Sequence, residues 1–136
     1  MKGDDIAAKL LAAAVSGVAM ADSMPRTAAG RHVGAQLLRS VTACGANYEE
    51  ARGAESRRDF IHKLAISRKE AHETRYWVRV AHASRLLETG TFPDFARQLD
   101  SIYRILGKSL GTARARSEVD RGSSEEGAAP GAGSNL

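Results

Sequence analysis

From Ser56 to Glu88 the chain contains neither proline nor glycine, and its apolar residues recur at the spacing of one helix face. Some thirty residues at about 1.5 Å of rise each read as a single long helix. A helix of that length is stabilised mainly by packing its apolar stripe, so the rest of the chain must supply partners for it.

It does so with three more helical patterns. Residues 4–23 place Ile6, Leu10, Leu11, Val15 and Val18 on a helical stripe among alanines, with Asp4 or Asp5 able to cap the start and Pro25 ending the run. Residues 27–52 carry Val33, Leu37, Leu38, Val41, Cys44 and Tyr48 at helical intervals, with Thr27 as N-cap and Gly53 as stop. Gly34, Gly45 and Ala46 within that segment would let a neighbouring helix approach closely. The long segment, predicted over 56–88, opens with Ser56 as cap and Asp59 three residues on, a capping box with Asp in place of Glu; Gly90 is read as its end. Phe92-Pro93-Asp94 then opens a fourth helix over 93–110, in which Phe95, Leu99, Ile102, Leu106 and Leu110 are spaced four, three, four and four.

No stretch alternates with period two. Four amphipathic helices joined by short turns predict an all-α, antiparallel up-and-down four-helix bundle, one domain over residues 1–111. Residues 112–136 shift to Gly, Ser, Ala, Glu and Pro and are expected to form a disordered, low-complexity tail.

Lys2, the uncharged run of residues 10–21 and Ala19-Met20-Ala21 imitate a secretory signal. Asp4, Asp5 and Lys9 argue against it, as does the bundle's need for that helix. Cys44 is the only cysteine and is read as a small buried hydrophobe in a reducing, cytoplasmic setting.

The chemistry of a site is hard to find. Glu49, Glu50, Glu70 and Glu73 with His62, His72 and His82 suggest a di-metal bundle, but neither Glu70 nor Glu73 has a histidine three residues later. The histidines, ten apart, fan out by about 80° each. No nucleophile motif or phosphate-binding glycine loop occurs. The expectation is no enzyme, no metal and no cofactor.

Charge is more informative. Residues 1–111 carry 17 basic and 12 acidic side chains, a mildly basic body that favours an anionic partner. Arg57, Arg68, Arg75 and Arg79 fall within about 40° of one another on the long helix. That row reads either as a solvated face with local ion pairs or as a phosphate-binding ridge; with Arg58, Lys63 and Lys69 it forms the candidate nucleic-acid-binding set. A separate sector carries Ile66, Trp77 and Val80, a second apolar face suited to a broad core or a subunit interface. Glu49 and Glu50 near one helix end, followed by Arg57 and Arg58 at the next start, run against the helix dipole, so pairing across the turn or a partner must hold them.

The stretches 36–40, 45–51, 53–56 and 59–64 (QLLRS, GANYEEA, GAES, DFIHKL) and the run 69–77 (KEAHETRYW) resemble the bacterial four helix bundle protein family, also called 23S rRNA intervening-sequence proteins. Asn47, Glu50, Phe60, Leu64 and Glu73 match its characteristic positions. The resemblance implies an antiparallel bundle, a homopentamer without enzymatic activity and, through a related branch of retroelement accessory proteins, RNA or DNA and a reverse transcriptase as partners. It further implies a buried or interfacial polar network of Asn47, Glu50 and Glu73, and a protomer interface at Trp77. A plain protein-interaction module, its arginines only solubilising, is the competing reading.

Overall fold

The computed structural model describes residues 3–88 and 90–127, which form four helices: α1 (Gly3–Asp22), α2 (Ala28–Arg52), α3 (Arg57–Ala83) and α4 (Phe92–Glu126). Two of the starts follow directly from local chemistry. The Thr27 hydroxyl accepts from Gly30 N at 3.0 Å and that of Ser56 accepts from Asp59 N at 3.0 Å, each satisfying an otherwise free amide.

The buried positions show how the helices meet. In α3 they are Leu64, Ser67, Ala71, Thr74, Val78 and Ala81, and in α1 Ile6, Leu10, Ala13, Gly17 and Met20, alternating steps of three and four. That is the seam of left-handed, knobs-into-holes packing. Each helix packs on the next and α4 closes back on α1. The cross-helix pairs run in opposite order along each neighbour: Asp4 meets Arg52 while Gly17 meets Val41, Lys63 meets Glu50 while Thr74 meets Ser40, and Arg57 meets Asp120 while Arg75 meets Asp100. Consecutive helices are therefore antiparallel. Leu37, Leu64, Leu99, Ile102 and Leu106 form the centre of the core.

Three features depart from the sequence expectation. In α1 the middle inward positions are small (Ala13, Gly17) between the large Ile6, Leu10 and Met20, whereas Leu11, Val15 and Val18, expected in the core, are 67%, 63% and 43% exposed. The cause lies on α2: a methyl group on Gly17 would come within 2.5 Å of Val41 Cγ1, so this approach admits only hydrogen there and turns the large residues outward.

The second is the end of α3, which stops at Ala83 rather than near residue 88. Arg85 adopts φ 59°, Arg85 N donates to His82 O at 3.1 Å, and Leu86 N donates to Ala81 O at 2.8 Å. This is a Schellman stop with arginine where glycine is usual.

The third is α4, which continues through Gly111 and Gly122 to Glu126, so residues 112–126 are helix and not the expected disordered tail. Ala113 is buried and Asp120 pairs with Arg57 at the start of α3. Residues 128–136, the remainder of that expectation, lie outside the described residues. No helix among the described residues is long and apolar enough to cross a membrane.

Candidate nucleic-acid interface

The α2–α3 seam is the most polar part of the interior and fixes the rotation of α3 about its axis. Ser40, Ser67 and Thr74 are fully buried. The Thr74 and Ser40 hydroxyls lie 2.9 Å apart, with Glu70 O 2.8 Å from Thr74 and Leu37 O 3.1 Å from Ser40, so two protons serve three short contacts. Ser67 donates to Cys44 O at 2.7 Å, leaving its oxygen to accept from the Cys44 thiol at 3.7 Å. Burial pushes that thiol up to about 11, which makes it a structural group and not a nucleophile at neutral pH.

With α3 held in this way, the predicted arginine row faces α4. Arg57 pairs with Asp120, Arg75 Nε lies 2.8 Å from Asp100 Oδ1, and the Arg68 guanidinium sits 4.3 Å from the centre of the Tyr103 ring. Arg68 Nε is buried without a hydrogen-bond partner, packed where a methyl on Gly107 would meet it at 2.9 Å. Lys63 pairs with Glu50 at 2.7 Å. Four of the seven candidates (Arg57, Lys63, Arg68, Arg75) are thus engaged within the protomer. Arg58, Lys69 and Arg79 are exposed and form no ion pair within 4.0 Å among the described residues.

Those three do not stand alone. Opposite the core stripe of α3, Arg58, His62, Lys69, His72, Tyr76 and Arg79 share a sector of about 100°, all exposed, and no α3 carboxylate lies among them. From Arg58 to Arg79 the face is about 32 Å long, close to one turn of a nucleic-acid duplex. Tyr76 is 57% exposed and stands edge-on to Trp77 at 5.1 Å between ring centres. Sequence reasoning missed Tyr76 and the histidines as members of this face because it grouped arginines by mutual angle. His62 and Tyr76 lie opposite Leu64, Ala71 and Val78; His72 joins them only once Ser67, Thr74 and Ala81 are counted as inward.

The expected polar network is also rearranged. Asn47, Glu50 and Glu73 do not meet: Asn47 Nδ2 donates to Ala43 O at 2.9 Å within α2, Glu50 is exposed and bound to Lys63, and Glu73 joins Arg39. Helical register separates them: Glu50 pairs with Lys63 and Arg39 with Glu73, ten residues apart along α3. The network that does form is Arg39, Glu70, Glu73 and Trp77. Arg39 Nη1 donates to Glu70 Oε2 at 3.3 Å, Arg39 Nη2 donates to Glu73, and Trp77 Nε1 donates to the other Glu73 oxygen at 3.3 Å. The Arg39 hydrogen bond holds the Glu73 carboxyl below the usual carboxylate range, while burial pushes Glu70 up. No three His, Cys, Asp or Glu side chains among the described residues converge to hold a metal.

The expected interface residues are less free than the sequence implied. Ile66, Trp77 and Val80 are half-buried; Trp77 and Val80 pack on the core, and Trp77 takes the edge of His32 at 5.6 Å between ring centres. The second apolar sector of α3 therefore packs largely against its own α2. The most exposed apolar stripe is on α1, Leu11, Val15 and Val18, and Leu11 borders a groove of about 360 Å³ lined also by Ala7, Ala14, Gly45 and Ala46 of α1 and α2.

This architecture defines a class: an antiparallel four-helix bundle with an unpaired basic face and an apolar outer stripe. Residues 6–108 match the family model described as 23S rRNA-intervening sequence protein, and the chain belongs to that family. A crystal structure of a protein of unknown function from the S23 ribosomal protein family of Bacteroides thetaiotaomicron is similar, with a TM-score of 0.76 and 32% identity over 82% of this chain and 99% of that one. No curated protein matches.

Proposed function

We propose that this chain is a non-enzymatic, homo-oligomeric scaffold, pentameric as the family resemblance implies, that binds RNA or DNA without sequence preference through the outer face of α3. The observation that carries the reading is the face itself: three cations without ion pairs among the described residues, two histidines and one exposed tyrosine, with no carboxylate of α3 between them. Phosphates are drawn to such a row through release of counterions. An exposed ring adds a stacking surface that tolerates any base. The engaged arginines Arg57, Arg68 and Arg75 hold α4 in place. A reverse transcriptase as partner, and a cytoplasmic location, are parts of the proposal that rest on the family resemblance and on the free cysteine.

Self-association is assigned to the α1 stripe of Leu11, Val15 and Val18, because a second copy of the chain would cover apolar surface that packing against α2 leaves outside. That stripe also favours the second reading, a protein-interaction module that ignores nucleic acid. Fluorescence anisotropy with a mixed-sequence RNA separates the two. On the first reading, Lys69→Glu with Arg79→Glu abolishes binding and leaves the oligomer intact; unchanged binding would exclude the α3 face.

A further inference from the structure

Where α4 runs past the residues matched to the family, it encloses a groove of about 540 Å³ against the first two turns of α3. Arg58 and Ile61 line it from α3, and Arg114, Ser117, Glu118 and Arg121 from one face of α4. Three guanidiniums against one carboxylate give a lining charge of +2. Among the described residues none of these four charged groups forms an ion pair within 4.0 Å, although Arg57 and Asp120 beside them pair with each other. The positive dipole end of α3 lies here beside the negative C-terminal end of α4, so the side chains and not the helix dipoles set the sign of the potential. Half-buried Ile61 gives the groove an apolar wall.

We propose that this groove binds a phosphate monoester on an organic body, a nucleoside monophosphate or the phosphorylated end of a nucleic-acid strand. The charge argues for the monoester. A terminal phosphate carries about −1.5 to −2 at neutral pH, which matches the lining, whereas an internal phosphodiester carries about one charge. Guanidiniums from two helices hold such a group in paired, charge-assisted hydrogen bonds. The Ser117 hydroxyl is a further donor, and Ile61 packs the sugar or base. The site depends on the α4 extension and stands apart from the α3 face, with only Arg58 common to both.

The test uses the full chain in two arms. The first titrates adenosine monophosphate by calorimetry. The second compares a short single strand bearing a 5′-phosphate with the same strand bearing a 5′-hydroxyl. The control is Arg114→Gln with Arg121→Gln, at exposed positions, checked for unchanged helicity by circular dichroism. The expected result is a preference of about tenfold for the phosphorylated strand, as one net charge-assisted hydrogen bond gives at an open, solvated groove, lost in the double variant. Adenosine monophosphate binding that is lost with it identifies a free nucleotide as ligand; a strand preference without such binding identifies the strand end. Absence of both in the natural chain, or persistence of both in the variant, overturns the proposal. Lys69→Glu with Arg79→Glu should leave monophosphate binding unchanged, so failure of the α3 face and failure of the groove are told apart.

Discussion

Gly17 of α1 and Val41 of α2 are packed so closely that a methyl group on Gly17 would lie 2.5 Å from Val41 Cγ1 and 3.3 Å from Cγ2. Val41 is 2% exposed and has no room to retreat. Gly17→Ala should therefore destabilise the bundle by about 1–3 kcal/mol, overpacking outweighing the roughly 1 kcal/mol that alanine gains in helix propensity. Urea unfolding checks this. A stabilised variant would mean that α1 is free to slide outward.

The end of α3 gives the opposite expectation. Arg85 occupies the left-handed region that favours glycine. Arg85→Gly should stabilise by about 0.5–1 kcal/mol, part of the relief being offset by the greater freedom of glycine in the unfolded chain. Thermal unfolding reads the change directly.

Cys44 should make the fold sensitive to alkali. Its thiol is raised by burial from an ordinary 9.0 to about 11. Between those values the unfolded chain releases a proton that the folded chain keeps, so stability falls as pH rises from 9 toward 11, by about 1.4 kcal/mol per unit. Tyr48, also raised by burial, contributes with the same sign. Cys44→Ala should flatten the slope of stability against pH in that window; an unchanged slope would assign it all to Tyr48.

Arg39 bridges two carboxylates from α3 and is itself half exposed. Arg39→Gln should cost about 1 kcal/mol, the upper end for an exposed pair, since Glu70 and Glu73 are left as neighbouring like charges. The Glu73 carboxyl, held low chiefly by Arg39, should titrate at higher pH, which carboxyl carbon resonances will show. Its contribution to stability is present above the unfolded value and lost as pH falls through the folded one. Glu70, raised by burial, acts with the opposite sign.

The bundle was legible because its period-3.6 stripes, caps and short turns all agree. Two errors concern helix ends: the absence of glycine at position 85 hid one, and the Gly-, Ser- and Glu-rich composition after residue 111 suggested another. A mid-helix glycine costs about 1 kcal/mol, which burial of Ala113 and the Arg57–Asp120 pair can offset. The α1 error has another origin. Hydrophobicity cannot say which of two apolar faces points inward when the middle of the inner one is alanine and glycine, because Val41 decides that from another helix. The arginine row was visible from residue spacing, but the residues facing it (Asp100, Tyr103 and Asp120) lie 25 to 63 positions away in sequence. The unpaired face was what remained once those contacts were known.

The exposed ring on α3 provides a sharper test of stacking. Tyr76→Ala should weaken binding of single-stranded RNA by about 1–3 kcal/mol and leave duplex binding nearly unchanged, because only unpaired bases can stack on the ring. Equal losses on both would reduce Tyr76 to a surface residue.

The most direct test of the scaffold reading is light scattering coupled to size exclusion, with and without a mixed-sequence structured RNA, at low and at moderate salt. The account predicts a mass several times the 14.5 kDa protomer, co-elution with RNA at low salt that is lost at moderate salt, and reversion to the protomer mass in Leu11→Lys with Val15→Lys. A protomer-sized mass indifferent to RNA at either salt would contradict it.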